Sequence, residues 1–172
     1  MVQLEIRIYP DPILREKCRA VEEIDDQILR LIADMIEAVH EAPGVGLAAP
    51  QVGETLRIVV IDLSVGEDPD QLHVLINPEV EPVESEEVEM EEGCLSLPEI
   101  FEKLKRPGRV RVRALNPKGK EILLDAEGRL SRVLQHEIEH LDGKLLLDRL
   151  NRVKRELVKR RLRKRAKSEA PA

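Results

Sequence analysis

The sequence predicts an α+β fold: antiparallel β-sheets packed around a central helix that carries two histidines, with an N-terminal helix and a basic C-terminal helix. Three observations predict it. Apolar residues recur at helical spacing twice, as Ile28, Leu31, Ile32, Met35, Ile36 and Val39 early in the chain and as Leu130, Leu134, Ile138 and Leu141 late. Between them, Arg109-Val110-Arg111-Val112-Arg113 alternates strictly, the signature of a half-buried strand. The turn Asn116-Pro117-Lys118-Gly119 then leads into residues 121–124 as a hairpin partner, which implies antiparallel pairing.

Taken in order, Glu5-Ile6-Arg7-Ile8 alternates as a short strand, broken by Pro10-Asp11-Pro12, and residues 13–17 suit one or two helical turns. Asp25 or Asp26 caps the first long helix, because a carboxylate there accepts from free backbone N–H groups, and Pro43-Gly44 ends it. Gly44-Val45-Gly46-Leu47-Ala48-Ala49-Pro50-Gln51-Val52-Gly53 lacks the strand, the third glycine and the Lys-Ser/Thr that nucleotide loops need. It reads instead as backbone that a ligand or strand approaches closely. Residues 56–63 are a buried strand, and 72–76 a second one closed by Asn77-Pro78. Residues 80–90 alternate loosely as one or two strands, and Glu92-Gly93-Cys94-Leu95-Ser96-Leu97-Pro98 reads as a loop after them. Gly128 precedes the histidine helix and Gly143 ends it.

A chain of 172 residues suits one domain. Residues 1–148 are expected to hold the catalytic machinery and 149–172 a basic helix and tail of the same domain. With Tyr9 and Phe101 the only aromatics, the core must be aliphatic. The net charge of −6 is unevenly spread: residues 149–167 hold 11 basic groups against Glu156, or +10, which leaves −16 elsewhere. Such asymmetry points to a basic element that finds a polyanion. No apolar run is long enough for a membrane span and no signal peptide opens the chain, so a cytoplasmic, reducing compartment is expected, with Cys18 an inert thiol not bridged to Cys94.

The chemistry centres on Gln135-His136-Glu137-Ile138-Glu139-His140. Histidines four apart on a helix lie on one side, so their rings converge on one ion. Glu137, about 100° round from His136, reaches a water on that ion. The apolar stripe of this helix faces the core, while Arg129, Arg132, Val133, His136 and His140 form another face, whose arginines suit equally a cleft receiving an anionic or carbonyl-rich ligand and a solvated basic surface. A third ligand is needed. Downstream, position 146 is Leu, Glu156 lies in the basic tail and Asp148 is a short carboxylate beyond the terminating glycine; upstream, His40 and His73 have no supporting motif. Cys94, in its glycine-introduced loop, completes a Cys-His-His set better than any of them.

Three ordered segments, 44–51, 92–96 and 135–140, together resemble the peptide deformylase family, and the flanks fit from Asp11-Pro12-Ile13-Leu14 to Asp148-Arg149-Leu150. The resemblance implies removal of formyl from the N-terminal formyl-methionine of new bacterial or organellar polypeptides. It implies Cys94, His136 and His140 as ligands of one divalent metal ion, Fe(II) natively, with zinc, nickel or cobalt able to replace it. It also implies Glu137 as proton carrier, and the Gln51 side-chain amide and Leu95 backbone N–H as oxyanion donors. The peptide is expected to lie extended against Val45-Gly46 and Gly93, with Val45, Met90 and Val133 lining the methionine pocket. Phe101 departs from a well-known branch, which has an arginine there that contacts the peptide.

Two other readings remain at this point. An HExxH peptidase would need the downstream ligand that is missing. A non-catalytic zinc module binding RNA through the tail would need a fourth protein ligand and gives Glu137 and Gln51 no purpose. In the tail, Leu150, Val153 and Leu157 are spaced to dock one helix face on the body, with the charge turned outward toward the ribosome.

Overall fold

A computed structural model describes residues 2–169. Its helices are α1 (Asp26–Glu41), α2 (Gly128–His140) and α3 (Arg152–Glu169). Its strands are β1 (Gly46–Ala48), β2 (Ile58–Asp62), β3 (Leu72–Pro82), β4 (Glu87–Cys94), β5 (Leu97–Pro107), β6 (Arg109–Leu115) and β7 (Glu121–Glu127). Five strands form an antiparallel sheet in the order β1-β2-β3-β6-β7, and β4 and β5 form a separate antiparallel pair.

The sheet buries both faces. Every residue of β2 is buried, because its pleat sends Val59 and Ile61 toward α2 and Ile58 and Val60 toward α1. Helix α1 begins at Asp25, whose Oδ1 accepts from Ile28 N at 2.9 Å, and buries Ile32, Met35 and Val39. On the opposite face α2 presses Leu134, Ile138 and Leu141 against Val59, Ile61, Leu75 and Val112, with Leu130 packed at the margin, as the apolar stripe required. The hairpin β4–β5 lies on the other side of α2. A third apolar cluster behind it joins Leu97, Ile100 and Leu104 to Leu146, Leu147 and Leu150 and to Val158 and Leu162 of α3. Among the described residues no helix is long and apolar enough to cross a membrane.

Several elements differ from expectation. Residues 5–8 form no strand; the extended segment instead ties across the molecule, Arg7 N–H to Gln51 O at 2.7 Å and Tyr9 N–H to Ser96 O at 2.9 Å. Asn77-Pro78 does not close β3. The strand runs through them on a bulge, where Asn77 takes φ 53° and its amide bonds both Val21 N and Val21 O. Pro78 lacks a ladder N–H, and a bulge is where that loss is tolerated. Residues 92–98 are not a loop but the end of β4, a tight turn and the start of β5. The face of β5 turned to the protein carries Ile100, Glu102, Leu104 and Arg106, so its period of two is disguised by charge. In α3 the docked residues are Val158 and Leu162, while Val153 is 70% and Leu157 54% exposed. The long stem of Arg155, which donates to the carbonyls of Leu147, Asp148 and Leu150, takes the place given to an apolar contact in the first turns. Residues 170–172 of the tail lie outside the described residues.

Candidate metal centre and active site

Cys94 ends β4, and His136 and His140 stand one turn apart on α2, so the hairpin and the helix together bring three ligand types to one point. Cys94 Sγ lies 3.4 Å from His140 Nε2, which lies 3.3 Å from His136 Nε2, and the three ligand atoms all fall within 4.8 Å of one another. Tetrahedral bonds of about 2.0–2.1 Å to nitrogen and about 2.3 Å to sulfur separate two nitrogens by about 3.3 Å and a nitrogen from sulfur by about 3.6 Å, so the cluster fits a metal ion. His140 is held well below the ordinary imidazole range, chiefly by burial and then by the positive charges of His136 and Arg106, so its ring offers a free lone pair.

The ring of His136 is fixed from behind. Its Nδ1 bonds Glu92 Oε1 at 3.0 Å, which leaves Nε2 toward the cluster. Glu92 is buried on the inward face of β4 and takes Arg106 through Nε at 2.6 Å and Nη2 at 2.9 Å, and Arg132 through Nη1 at 2.7 Å. Burial alone would raise its pKa; hydrogen bonds from His136, Arg106 and Arg132 overcome that and hold it below the usual carboxylate range. His136 is raised well above its ordinary value for the matching reason, since Cys94 and Glu92 outweigh burial. Arg132, expected on a ligand cleft or a solvated face, is a buried structural cation: it also donates to Leu104 O at 3.0 Å. Arg129 is exposed.

Glu137 is buried beside the cluster, and its Oε2 has no hydrogen-bond partner. Burial lifts its carboxyl to about 7, against the pull of the His136 charge and with the push of Glu92. A carboxyl poised there can both take and return a proton near neutral pH. Its position explains Gly46. A Cβ on Gly46 would stand 2.8 Å from Glu137 Oε1 and 3.0 Å from Val133 Cγ1, so any side chain there would push the Glu137 carboxyl out of place.

Gln51 is buried with its amide orientation set. Its Oε1 accepts from Ala48 N–H at 2.9 Å, so Nε2 faces Ser96 Oγ at 3.1 Å and Cys94 Sγ at 3.7 Å. Leu95 forms the turn between β4 and β5, with its side chain against Gly44. Val45, Met90 and Val133 are half-buried and Gly93 is exposed, with the Phe101 ring lying over it. The ligands considered and set aside are elsewhere: Asp148 is held by Arg15 at 2.5 Å and His40 by Asp62 at 2.7 Å. Cys18 is buried in the apolar cluster between α2 and the sheet and is not part of the ligand group, and burial pushes its thiol up to about 11 despite Arg57.

Glu92, Ser96 and Arg106 were not singled out by sequence reasoning. The available signal was a carboxylate two residues before the candidate ligand in an alternating segment, on the face that must turn inward.

A thiolate and two imidazoles around one point, with a buried carboxyl at their side, define a metal-dependent hydrolase. The family model described as polypeptide deformylase matches residues 3–156. A peptide deformylase of Syntrophobacter fumaroxidans is 48% identical over 97% of this chain and 98% of its own length, and one of Acidobacterium capsulatum is 51% identical over 91% of each. The crystal structure of a peptide deformylase from Legionella pneumophila superposes with a TM-score of 0.90 at 40% identity, covering 99% of this chain and 100% of that one. The chain belongs to the polypeptide deformylase family. It removes the N-formyl group from nascent peptides.

Proposed function

We propose that Glu137 is the proton carrier of this reaction and that the Gln51 amide and the Leu95 backbone N–H receive the oxyanion. When bound by Cys94, His136 and His140, a divalent ion supplies Lewis acidity and an activated water. Glu137 takes the proton of the attacking water as oxygen adds to the formyl carbon. As the C–N bond breaks, Glu137 gives that proton to the leaving amine, and formate is released. The carbonyl oxygen becomes negative during the addition, and Gln51 Nε2–H and Leu95 N–H are the donors beside it. The observation that carries this reading is the held amide of Gln51. Because Ala48 N–H fixes Oε1, the NH₂ group is turned toward the cluster before substrate arrives.

The peptide lies extended beside Val45-Gly46 and Gly93. The outer edge of β1 supports this, since among the described residues β1 pairs only with β2. Val45, Met90 and Val133 line the methionine pocket, with Val133 next to Glu137 against Gly46. Gln51→Leu removes one oxyanion donor and should lower kcat by about 10²-fold with KM little changed. A change confined to KM would make Gln51 a ground-state contact.

Fe(II) is the proposed native metal, held by a thiolate and imidazoles that also suit zinc, nickel and cobalt. The compartment proposed is the bacterial cytoplasm. Residues 1–148 carry the site, and 149–172 belong to the same domain, a division supported by Val158 and Leu162 packing with Leu97 and Ile100. The proposed partner of α3 is ribosomal RNA. Its exposed face carries Arg160, Arg163 and Lys164 next to Val153 and Leu157. Reversing Lys159, Arg160, Arg163 and Lys164 to Glu should abolish salt-dependent ribosome binding while short formyl-peptide turnover persists. Unchanged ribosome affinity would return α3 to a solvated helix.

A further inference from the structure

The residue before the second ligand histidine is not a spacer. Glu139 Oε1 accepts from Arg106 Nη1 at 2.9 Å and from Arg149 Nε at 2.8 Å, with Arg149 Nη2 on the same oxygen. Arg106 is fully buried, and its other nitrogens, Nε and Nη2, hold the two oxygens of Glu92. Glu92 in turn holds His136 Nδ1. An unbroken chain of charged hydrogen bonds therefore runs from a metal ligand to Arg149, whose side chain is 40% exposed in the turn Leu146–Arg149 that leads into α3.

We propose that Arg106, Glu139 and Arg149 form a positioning relay that acts through Glu92 to fix the His136 ring and so sets the metal affinity of the Cys94, His136 and His140 centre. The guanidinium is planar and rigid, so anchoring one edge on Glu139 fixes the angle at which the other edge meets Glu92. Glu92 Oε1 serves both Arg106 and His136 Nδ1, so a tilt of the Arg106 plane moves the acceptor that orients the imidazole. Buried ion pairs contribute little net stability compared with apolar packing, so stability alone gives no reason for four such charges around one ring. Arg132 braces Glu92 from the side through Oε2 and is not part of the path to the surface. Arg149 is the most exposed link of the path, its side chain 40% accessible against 19% for Glu139 and none for Arg106, which makes it a handle on the centre from the base of α3.

The inference rests on the metal-centre reading, and the experiment separates the two. The full chain is loaded with Co(II), and its affinity is measured by chelator competition together with the Co(II) absorption spectrum. Loss of a direct partner of a ligating histidine typically costs about 10–100-fold in affinity. Glu139→Gln, one link further out, should cost about tenfold, and Arg149→Ala about threefold, both with a shifted ligand-field spectrum. Arg149→Lys should restore most of the loss. Arg111→Ala, which removes an exposed pair with Asp125 far from the centre, should change neither readout. Parental affinity within twofold and an unchanged spectrum in Arg149→Ala would overturn the relay, whatever happens to Tm, and this variant stands even where Glu139→Gln folds poorly. A parent lacking the thiolate-to-cobalt band would overturn the metal-centre reading and the relay with it.

Discussion

Helix α2 is covered by two unlike partners. On one side the five-stranded sheet meets it with Val59, Ile61, Leu75 and Val112, a dry aliphatic surface. On the other the β4–β5 hairpin meets it with Cys94, Glu92 and Arg106, a surface of charge and sulfur. The first side holds the helix in place; the second makes its histidines a site. Apolar burial is non-directional and tolerates adjustment, whereas an ion-pair network works only in one geometry. The molecule thus pairs a stable wall with an exacting one across the width of a single helix.

Substitutions on the two walls should fail differently. The largest effect belongs to the hairpin. Cys94→Ala should lose both metal and activity, while Cys18→Ser, buried near the sheet side, should keep both. Metal analysis after anaerobic purification should find iron in the parent; full occupancy in Cys94→Ala would refute the ligand set. A smaller and different effect is expected from the sheet. Ile61→Ala removes a fully buried side chain facing α2 and should cost about 2–5 kcal/mol of stability. Its kcat in the surviving folded fraction should stay near the parent's. A kcat loss as large as that of a catalytic residue would show that the two walls are not separable.

The same contrast decides what the sequence revealed. The sheet, α1 and α2 were legible because each carries its apolar residues at one period, and the stripe Leu130, Leu134, Ile138 and Leu141 faces the core as its spacing demands. The ligand set was legible because histidine spacing on a helix is a strong geometric statement. Strand β5 was not, since Glu102 and Arg106 occupy positions that the pattern reserves for apolar groups. Arg132, which suited a cleft or a solvated face, is buried instead: its partner Glu92 is distant in sequence, and only the fold brings them together. In α3 the Arg155 side chain took the place of an apolar contact in the first turns, so Val153 and Leu157 looked buried when Val158 and Leu162 are. Charge on an inward face hides an element from periodicity, and here those charges surround the active centre.

The central claim is that the cluster binds the metal while the buried carboxyl beside it moves the proton. Glu137→Ala separates the two most directly, through metal content and kcat measured on one anaerobic preparation. The account predicts a full complement of metal with kcat lowered by at least about 10²-fold. Activity within a few-fold of the parent, or loss of the metal together with the activity, would contradict it.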